Sequence, residues 1–351
     1  MEQSISSNSQ KTHVLTFGEI LFRMSPRLSY QWLHNTQTSL FIGGAELNVA
    51  RALACWKQPV SYVTRMPEHI LSSEIHAFLS AEGIDTSKIL WGGDRIGMYI
   101  LPQGTDLKNA SVIYDRAHSS FAEMNLQSLQ WDELLSDVTW LHISAISPAL
   151  NQEIADISLQ LVQEAHNRGI TISLDLNYRA KLWQYGVSPP RIMTAIASYC
   201  NLIMGNIWAA HALLDIPIDP QIALNQATKE EYIAQADRTA QAIQNQFPRC
   251  QTVANTFRFD SPKGGISYFS TLHNFSETHV SKEIHVEKVI DRVGSGDCFM
   301  AGLIYGHLRG WHKQKIVDFS ACAATGKLKQ MGDATTQTVS EILQSITDSN
   351  E

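Results

Sequence analysis

Residues 291–297 combine two features that a phosphoryl-transfer site needs, a glycine turn and a carboxylate. The run reads DRVGSGD and joins a strand-like stretch, residues 284–290, to a helix-compatible stretch that reaches about Arg309. Two glycines one residue apart permit a tight turn, and the first N–H groups of the following helix have no partner within it. Such groups bind phosphate. Asp297, directly after Gly294, Ser295 and Gly296, could accept the proton of an attacking hydroxyl.

On its own, this turn allows a second interpretation. A glycine pair before a helix can be only a connection from a strand, and Asp297 can be a first-turn carboxylate favoured by the helix dipole. Two other nucleotide-binding patterns are absent from the chain. Residues 294–296 lack the third glycine of a dinucleotide fingerprint, and residues 326–328 lack the Ser/Thr and the upstream glycine of a P-loop.

The elements that must position this turn alternate between strands and helices. Apolar runs predict strands at 14–19, 60–64, 138–144, 170–176, 202–205 and 251–255, and a hairpin at 264–265 that leads into 266–271. Helical spacing predicts helices that open at 43–45 and that span 70–82, 149–167, 191–199 and 230–246. The pattern predicts an α/β fold with a mostly parallel central sheet and helices on both faces. Ligands bind such sheets beyond the carboxyl ends of the strands, where Asp175 and Asn206 also lie.

Two segments break the alternation. Residues 22–42 and 89–116 contain glycines, prolines and β-type runs with no helix between them. They are predicted to form a small β-strand lid. Residues 12–340 are predicted to form a single domain with this lid, and residues 1–11 and 341–351 are predicted to be tails.

Three groups of polar residues are candidates for ligand contacts, and each has a structural alternative. Gly43 and Gly44 with Asn48 could bind hydroxyls or could be a plain helix entrance. Tyr99 with Tyr114 and Arg116 could close over a ligand, with Arg116 forking onto a carboxylate, or could be a surface β ladder. Residues 175–179, with the sequence DLNYR, could line a crevice or could supply an N-cap or an Asx-turn.

Composition excludes several classes of function. The net charge of the 351 residues is −7, which argues against a general nucleic-acid binder or a protein of anionic membranes. The five cysteines are scattered without a paired ligand motif, and the thirteen histidines form no metal-spaced cluster. No long apolar run predicts a membrane span, and residues 1–11 lack a signal-peptide core. A cytoplasmic protein is therefore expected.

Taken together, these motifs resemble the PfkB/ribokinase superfamily of carbohydrate kinases, over residues 14–332. DRVGSGD resembles the C-terminal signature of that superfamily, and GGAELN, residues 43–48, resembles its N-terminal glycine motif. Within the superfamily the chain most resembles the 2-keto-3-deoxygluconate kinases. The matching stretches are FGEILFR at 17–23, GDRIGMY at 93–99, YDR at 114–116, DLNYR at 175–179 with KLW at 181–183, and DRVG at 291–294.

The resemblance implies a ribokinase-like fold, a lid that also forms a homodimer or higher homo-oligomer, and ATP-dependent phosphorylation of 2-keto-3-deoxygluconate to its 6-phosphate. It implies Mg²⁺ and leaves a monovalent cation open. Asp297 would be the general base, and the backbone of 294–297 the anion hole. The residues implied to surround the sugar acid are Gly43, Gly44, Asn48, Tyr99, Tyr114, Arg116 and Arg179. Asn177 and Asn206, with Gly294 and Gly296, would face the nucleotide.

The substrate carboxylate has a separate physical argument. An α-keto acid needs a cation, whereas a neutral sugar does not, and Arg116 or Arg179 would each contribute about 1.5–3 kcal/mol. Two alternatives remain: a kinase of a neutral sugar such as fructose or ribose, and a catalytically weak sugar-binding or regulatory protein. The second is motivated by Ala209, which stands where the superfamily usually has an acidic residue that helps to organise Mg²⁺. The Mg²⁺ ligands are therefore left unassigned.

Overall fold

The computed structural model describes residues 12–27, 34, 37–102, 112–223, 227–261, 264–275 and 277–348. The strands in these residues are β1 Val14–Phe17, β2 Leu21–Ser25, β3 Ser39–Gly43, β4 Val60–Val63, β5 Arg65–Met66, β6 Leu90–Trp91, β7 Gly97–Ile100, β8 Ile113–Asp115, β9 Trp140–Ser144, β10 Thr171–Asp175, β11 Leu202–Gly205, β12 Thr252–Asp260, β13 Ile266–His273, β14 Thr278–Val280 and β15 Ile284–Val286. The α-helices are α1 Ala45–Cys55, α2 Ile70–Ala81, α3 Trp131–Leu134, α4 Gln152–Asn167, α5 Pro189–Ala197, α6 Ile207–Leu214, α7 Pro220–Ala223, α8 Lys229–Gln246, α9 Ser295–Leu308, α10 Lys313–Lys327 and α11 Val339–Asp348.

A nine-stranded sheet forms the centre of the molecule. Its order is β14-β13-β12-β11-β10-β9-β1-β4, and β15 also pairs with β13. In this sheet the neighbouring strands β4, β1, β9, β10, β11 and β12 are parallel. The strands β13, β14 and β15 continue it in antiparallel pairs. The predicted mostly parallel central sheet is confirmed.

Both faces of this sheet are covered by helices, as its buried strands require. Val14 belongs to a core that includes side chains of α1, α9 and α10, whereas its neighbour Leu15 belongs to a second core with side chains of α4, α5 and α6. Adjacent residues of one strand point to opposite faces. Two apolar layers therefore enclose the sheet and fix the carboxyl ends of its strands.

A separate four-stranded sheet lies beside the first, in the order β3-β2-β7-β8. Its strands come from the two segments that sequence reasoning assigned to a lid. Parts of those segments, residues 28–33, 35–36 and 103–111, lie outside the described residues, as does the predicted tail at 1–11. The movement of this sheet as a lid stays a prediction.

Several predicted boundaries differ from the observed ones, including the end of the strand predicted at 251–255, which reaches Asp260 in β12. Two further differences concern the end of the chain and the approach to the glycine turn. Residues 341–348 of the predicted tail at 341–351 are instead part of α11, whose Ile342 is fully buried, and residues 349–351 lie outside the described residues. The strand predicted at 284–290 ends at Val286, because its partner β13 begins at Ile266, which pairs with Val286. Beyond that point the backbone turns to a different partner, and the Ile290 N–H donates to the carbonyl of Leu328 at 2.8 Å.

Candidate active site

A cavity of about 560 Å³ opens beyond the carboxyl ends of the central strands. Asp175 at the end of β10 and Gly205 at the end of β11 line its floor, and the 294–297 turn borders it. Tyr99 and Tyr114 of the four-stranded sheet line it from the other side. The cavity therefore lies where a doubly covered parallel sheet is expected to bind ligands.

The glycine turn is the N-terminus of α9. Gly294 is the N-cap residue with a left-handed φ of 79°, and the helix begins at Ser295. A side chain at Gly294 would collide with the carbonyl oxygen of Asp333, so both the conformation and the space require glycine. The Ser295 hydroxyl donates to the Ala324 carbonyl at 3.0 Å. The first N–H groups of α9 are consequently available to an anion.

Asp297 lies at the base of the cavity with only 7% of its surface exposed. The side-chain amide of Asn48 donates to its Oδ2 at 2.7 Å, and this contact joins α1 to α9. Burial raises the pKa of Asp297 to about 7, against the lowering effects of the Asn48 hydrogen bond and the Arg179 charge. A carboxylate with a pKa near neutrality is suited to accept and release a proton.

Two further carboxyl groups surround Asp297. Burial raises the pKa of Asp175 well above its usual range, and the negative charge of Asp297 adds to the effect. Burial also raises the pKa of Glu46, whose Oε1 accepts hydrogen bonds from the hydroxyl and N–H of Ser144. The side chain of Asp175 makes no hydrogen bond within the described residues, although it borders the cavity. It is therefore available to a ligand.

Tyr99 and Tyr114 form one wall of the cavity. They face each other across the β7–β8 pair, with ring centroids 6.4 Å apart. The Tyr99 hydroxyl donates to Oδ2 of Asp333 at 3.1 Å. Sequence reasoning placed both tyrosines near the sugar acid, and the structure brings both to the cavity.

Arg116 also reaches the cavity, but its charge is paired within the protein. Its Nε and Nη2 both contact Oε2 of Glu19 at 2.6 Å, and both side chains are almost fully buried. Glu19 thus takes the fork of Arg116 in this structure, and the contact of Arg116 with a substrate carboxylate stays a prediction. Sequence reasoning missed Glu19, although it stands within the FGEILFR stretch.

Arg179 differs from Arg116, because its charge is available to a ligand. It is half-buried, lines the cavity, and makes no ion pair or hydrogen bond through its side chain in the part of the chain that the structure describes. Burial and neighbouring carboxyl groups raise the pKa of Asp297 and of Asp175, and the charge of Arg179 lowers both. Arg179 therefore lies near both carboxyl groups. A carboxylate bound here would receive a charge-assisted contact.

Asn177 and Asn206 also line the cavity. The Oδ1 of Asn206 caps α6 by accepting from the Ala209 N–H at 2.8 Å. Its amide NH₂ group makes no hydrogen bond in the described residues, and neither does the Asn177 side chain. Ala209 is buried in the apolar layer and does not line the cavity. The site thus offers the amide donors of Asn177 and Asn206 and no carboxylate at position 209.

Most of the residues predicted from sequence meet in this one cavity, which Gly44, Asn48, Tyr99, Tyr114, Arg116, Asn177, Arg179, Asn206, Gly294, Ser295, Gly296 and Asp297 all line. Gly43 is different. It does not line the cavity, and a side chain there would run into the carboxylate of Asp333. Its glycine identity is explained by this packing against Asp333, and its contact with the sugar stays a prediction.

Several lining residues were not predicted to have a role at the site. They include Glu19, Glu46, Lys181, Trp208, Arg258 and Arg292. Trp208 and Arg258 come from α6 and from the extension of β12 beyond residue 255. No local motif marks these two residues, so only the tertiary fold could have identified them.

The side chains of the site limit how Mg²⁺ could be bound. Within the described ranges, no cluster of three or more His, Cys, Asp or Glu side chains could hold a metal ion. Mg²⁺ commonly keeps several waters and takes phosphate oxygens with one or two carboxylates. Asp175, unbonded beside Asp297, fits that limited role. In addition, no helix of the described residues is long and apolar enough to cross a membrane.

Comparison with known proteins places these observations in a family. The model of the pfkB family carbohydrate kinases matches residues 11–339. Among solved structures, the 2-dehydro-3-deoxygluconokinase of Thermotoga maritima superposes with a TM-score of 0.85 at 30% identity, over 96% of this chain and 99% of that one. The ribokinase-like fold is thereby confirmed.

Curated relatives of the chain are also named as kinases. The 2-dehydro-3-deoxygluconokinase of Bacillus subtilis is 26% identical, over 92% of this chain and 91% of its own length. The 2-dehydro-3-deoxygalactonokinase of Haloferax volcanii is 24% identical, over 94% of this chain and 95% of its own length.

Proposed function

The chain belongs to the pfkB family of carbohydrate kinases, and we propose that it transfers the γ-phosphoryl group of ATP to the 6-hydroxyl of 2-keto-3-deoxygluconate. The observation that carries this proposal is the position of Asp297. It is a buried carboxylate with a pKa of about 7, directly behind a helix N-terminus that has free N–H groups. A hydroxyl acceptor and a phosphoryl donor would meet between these two features.

In the proposed reaction, Asp297 accepts the proton of the 6-hydroxyl as its oxygen attacks the γ-phosphorus. The bond from the γ-phosphorus to the β–γ bridging oxygen breaks, and ADP leaves with that oxygen. The N–H groups at the start of α9 stabilise the charge on the transferred group. Asn48 holds the Asp297 carboxylate in place by its 2.7 Å hydrogen bond. Mg²⁺, when bound with ATP, would neutralise phosphate charge, and Asp175 is the carboxylate that we assign to it.

The sugar-acid part of the proposal rests on Arg179. Its charge is near Asp297 and Asp175 but is not engaged by an ion pair within the described residues. A charge-assisted bond to the substrate carboxylate would contribute about 1.5–3 kcal/mol, and such a difference corresponds to about tenfold or more in affinity. Tyr99 and Tyr114 would border the same end of the substrate.

A kinase of a neutral sugar is the second candidate, because one observation favours it. Arg116, the other arginine at this wall, is neutralised by Glu19. Of the two arginines that sequence reasoning placed near the sugar, Arg116 is then paired within the protein and Arg179 is not. Trp208 and the amides of Asn177 and Asn206 serve either candidate at the nucleotide end.

A coupled assay of ADP release would separate these candidates. We expect 2-keto-3-deoxygluconate, or its galactonate epimer, to give the highest kcat/KM in a panel that also contains gluconate, fructose and ribose. A higher kcat/KM for fructose or ribose would replace this proposal with the neutral-sugar kinase. An absence of turnover for every sugar would favour the catalytically weak sugar-binding protein.

We also propose that the four-stranded sheet mediates a homodimer. Its edge strands β3 and β8 carry Leu40 and Ile113, which are 57% and 55% exposed. Exposed large apolar side chains on one small sheet are typical of an interface. Light scattering coupled to gel filtration should give a mass of about twice 39.2 kDa, and Leu40→Glu with Ile113→Glu should reduce it to the monomer. A monomeric wild-type protein would refute the dimer.

A further inference from the structure

Arg23 lies outside the cavity yet contacts both segments that shape the glycine turn. It belongs to β2 of the four-stranded sheet and is 3% exposed. Its Nη2 donates to Oδ2 of Asp291 at 2.6 Å, and its Nε donates to Oδ1 of Asp333 at 2.7 Å. The ring of Phe41 covers its guanidinium at 4.2 Å. One buried side chain therefore bridges two carboxylates from distant parts of the sequence.

Asp291 connects this bridge to the turn itself. Its Oδ1 accepts the N–H of Val293 at 3.1 Å, and its Oδ2 accepts the N–H of Gly332 at 3.1 Å. Gly294, the N-cap residue of α9, follows Val293 directly. The direction of the turn thus depends on the position of the Asp291 carboxylate, which Arg23 holds.

Asp333 connects the same bridge to both glycine motifs. A Cβ atom built at Gly43 would lie 3.1 Å from the Asp333 Cγ, and one built at Gly294 would overlap the Asp333 carbonyl oxygen. The Tyr99 hydroxyl also donates to its carboxylate at 3.1 Å, and Tyr99 pairs with Arg23 in the register of β2 and β7. Arg23 and Tyr99 are neighbours on one sheet, and both consequently hydrogen-bond to Asp333, the residue that packs against the turn.

The charges of this cluster nearly balance. Asp291 and Asp333 are accompanied by Arg23 and by Lys327, which is fully buried and donates to the Gln330 carbonyl at 3.2 Å. Removing one member of a buried ion pair leaves an uncompensated charge. Without Arg23, an excess negative charge would remain beside a site that must receive phosphate.

We propose that Arg23 is a positioning residue that links the four-stranded sheet to the anion hole. Through Asp291 and Asp333 it sets the turn so that the first N–H groups of α9 point at the transferred phosphoryl group. The strands β2 and β7, which carry Arg23 and Tyr99, are thereby joined to the glycine turn through Asp291 and Asp333. This inference rests on the proposed kinase activity, because it assigns a role at the same site.

The test compares Arg23→Ala with Arg51→Ala. Arg51 makes a two-point ion pair with Glu82 and does not line the cavity, so it controls for the loss of an arginine ion pair. Misplacing a reacting group slightly can lower a rate by about 10²-fold. We expect Arg23→Ala to lower kcat by about that factor while the KM for the sugar changes by less than about threefold, and Arg51→Ala to keep the wild-type kcat.

Chemical rescue distinguishes positioning from a purely structural role. Guanidinium ion at a non-denaturing concentration should restore part of the kcat of Arg23→Ala, because it can bridge the two carboxylates. It should leave wild-type kcat unchanged. If Arg23→Ala does not fold, Arg23→Lys takes its place, since a point charge cannot bridge both carboxylates in the fork geometry. Its kcat is then expected to fall while its melting temperature stays near that of the wild type.

The possible results separate this inference from the proposed function. Wild-type turnover with an unchanged kcat in the folded Arg23 variant overturns the role of Arg23 alone. Two results together also overturn it. Guanidinium does not restore the kcat lost in Arg23→Ala, and the melting temperature of Arg23→Lys falls as far below the wild-type value as that of Arg23→Ala. A wild-type protein that phosphorylates no sugar in the panel overturns both.

Discussion

Arg116 and Arg179 both line the cavity, but their surroundings give them different tasks. Arg116 is held by Glu19 through two contacts of 2.6 Å, and this pair stabilises the wall on which Tyr114 lies. Arg179 has no ion pair in the described residues and remains available to a ligand. Residue type alone could not separate them, because the difference lies in a partner 97 residues away from Arg116.

Arg179→Met should therefore raise the KM for the sugar acid by about tenfold or more and change the KM for a neutral sugar little. Arg116→Ala is the matched comparison. It leaves the buried Glu19 carboxylate without its partner, so it should lower the free energy of unfolding by about 3–5 kcal/mol. Steady-state kinetics and denaturant unfolding measure the two effects. Equal KM increases for both sugars in Arg179→Met would contradict the assignment.

Asp297 predicts the pH dependence of the reaction. The base must be deprotonated, and burial raises its pKa to about 7. The kcat/KM should therefore rise with pH through about 7 and fall about tenfold per unit on the acid side. A profile that is flat from pH 5 to pH 8 would contradict this role.

The raised pKa of Asp297 makes the activity rise with pH, but it makes the free energy of unfolding fall with pH. The pKa of Asp297 is higher in the folded chain than its ordinary value of 3.8, so the folded state binds more protons between those two values. Its contribution to stability consequently falls as the pH rises from about 4 to about 7. Asp297→Asn, which lacks this titration, should be more stable than the wild type at pH 8, by up to about 4 kcal/mol, and nearly equal to it at pH 4. Thermal melting at both values measures this.

At the scale of elements, local signals account for much of the fold. Burial on both faces predicted the parallel strands, and Asn151 and Thr228 cap α4 and α8 near the predicted starts. The missed α11 had a signal too. Its apolar residues Val339, Ile342, Leu343 and Ile346 follow helical spacing, and Thr338 and Glu341 exchange hydrogen bonds at its start. No local sequence signal marks the early end of β15, because that end depends on where its partner β13 begins.

The turn before α9 gives an element-scale prediction. Gly294→Ala places a side chain at a φ of 79° and against the Asp333 carbonyl. A strained backbone position costs about 1–3 kcal/mol, so the melting temperature should fall. Gly296→Ala is the control for stability, since nothing lies within 4 Å of its Cβ position and its φ is not positive. Equal melting temperatures for both variants would contradict the strained turn.

At the scale of the whole molecule, the site exists because distant segments converge. Asn48 and Asp297 are 249 positions apart, and Arg23 and Asp291 are 268 apart. The motifs indicated most of the residues at the cavity, because strand ends and glycine turns have predictable places in an α/β fold. The charge state of each residue could not be predicted in this way. The raised pKa of Asp297 and the pairing of Arg116 depend on burial and neighbours that only the folded chain provides.

The central claim is that Asp297 removes the proton of the accepting hydroxyl, and kcat of Asp297→Asn tests it most directly. Asparagine can still accept the Asn48 hydrogen bond, so the cavity should keep its shape, and calorimetry should show unchanged ATP affinity. With 2-keto-3-deoxygluconate and ATP both saturating, kcat is predicted to fall by at least about 10²-fold. A folded, ATP-binding Asp297→Asn protein that retains the wild-type kcat would contradict the account.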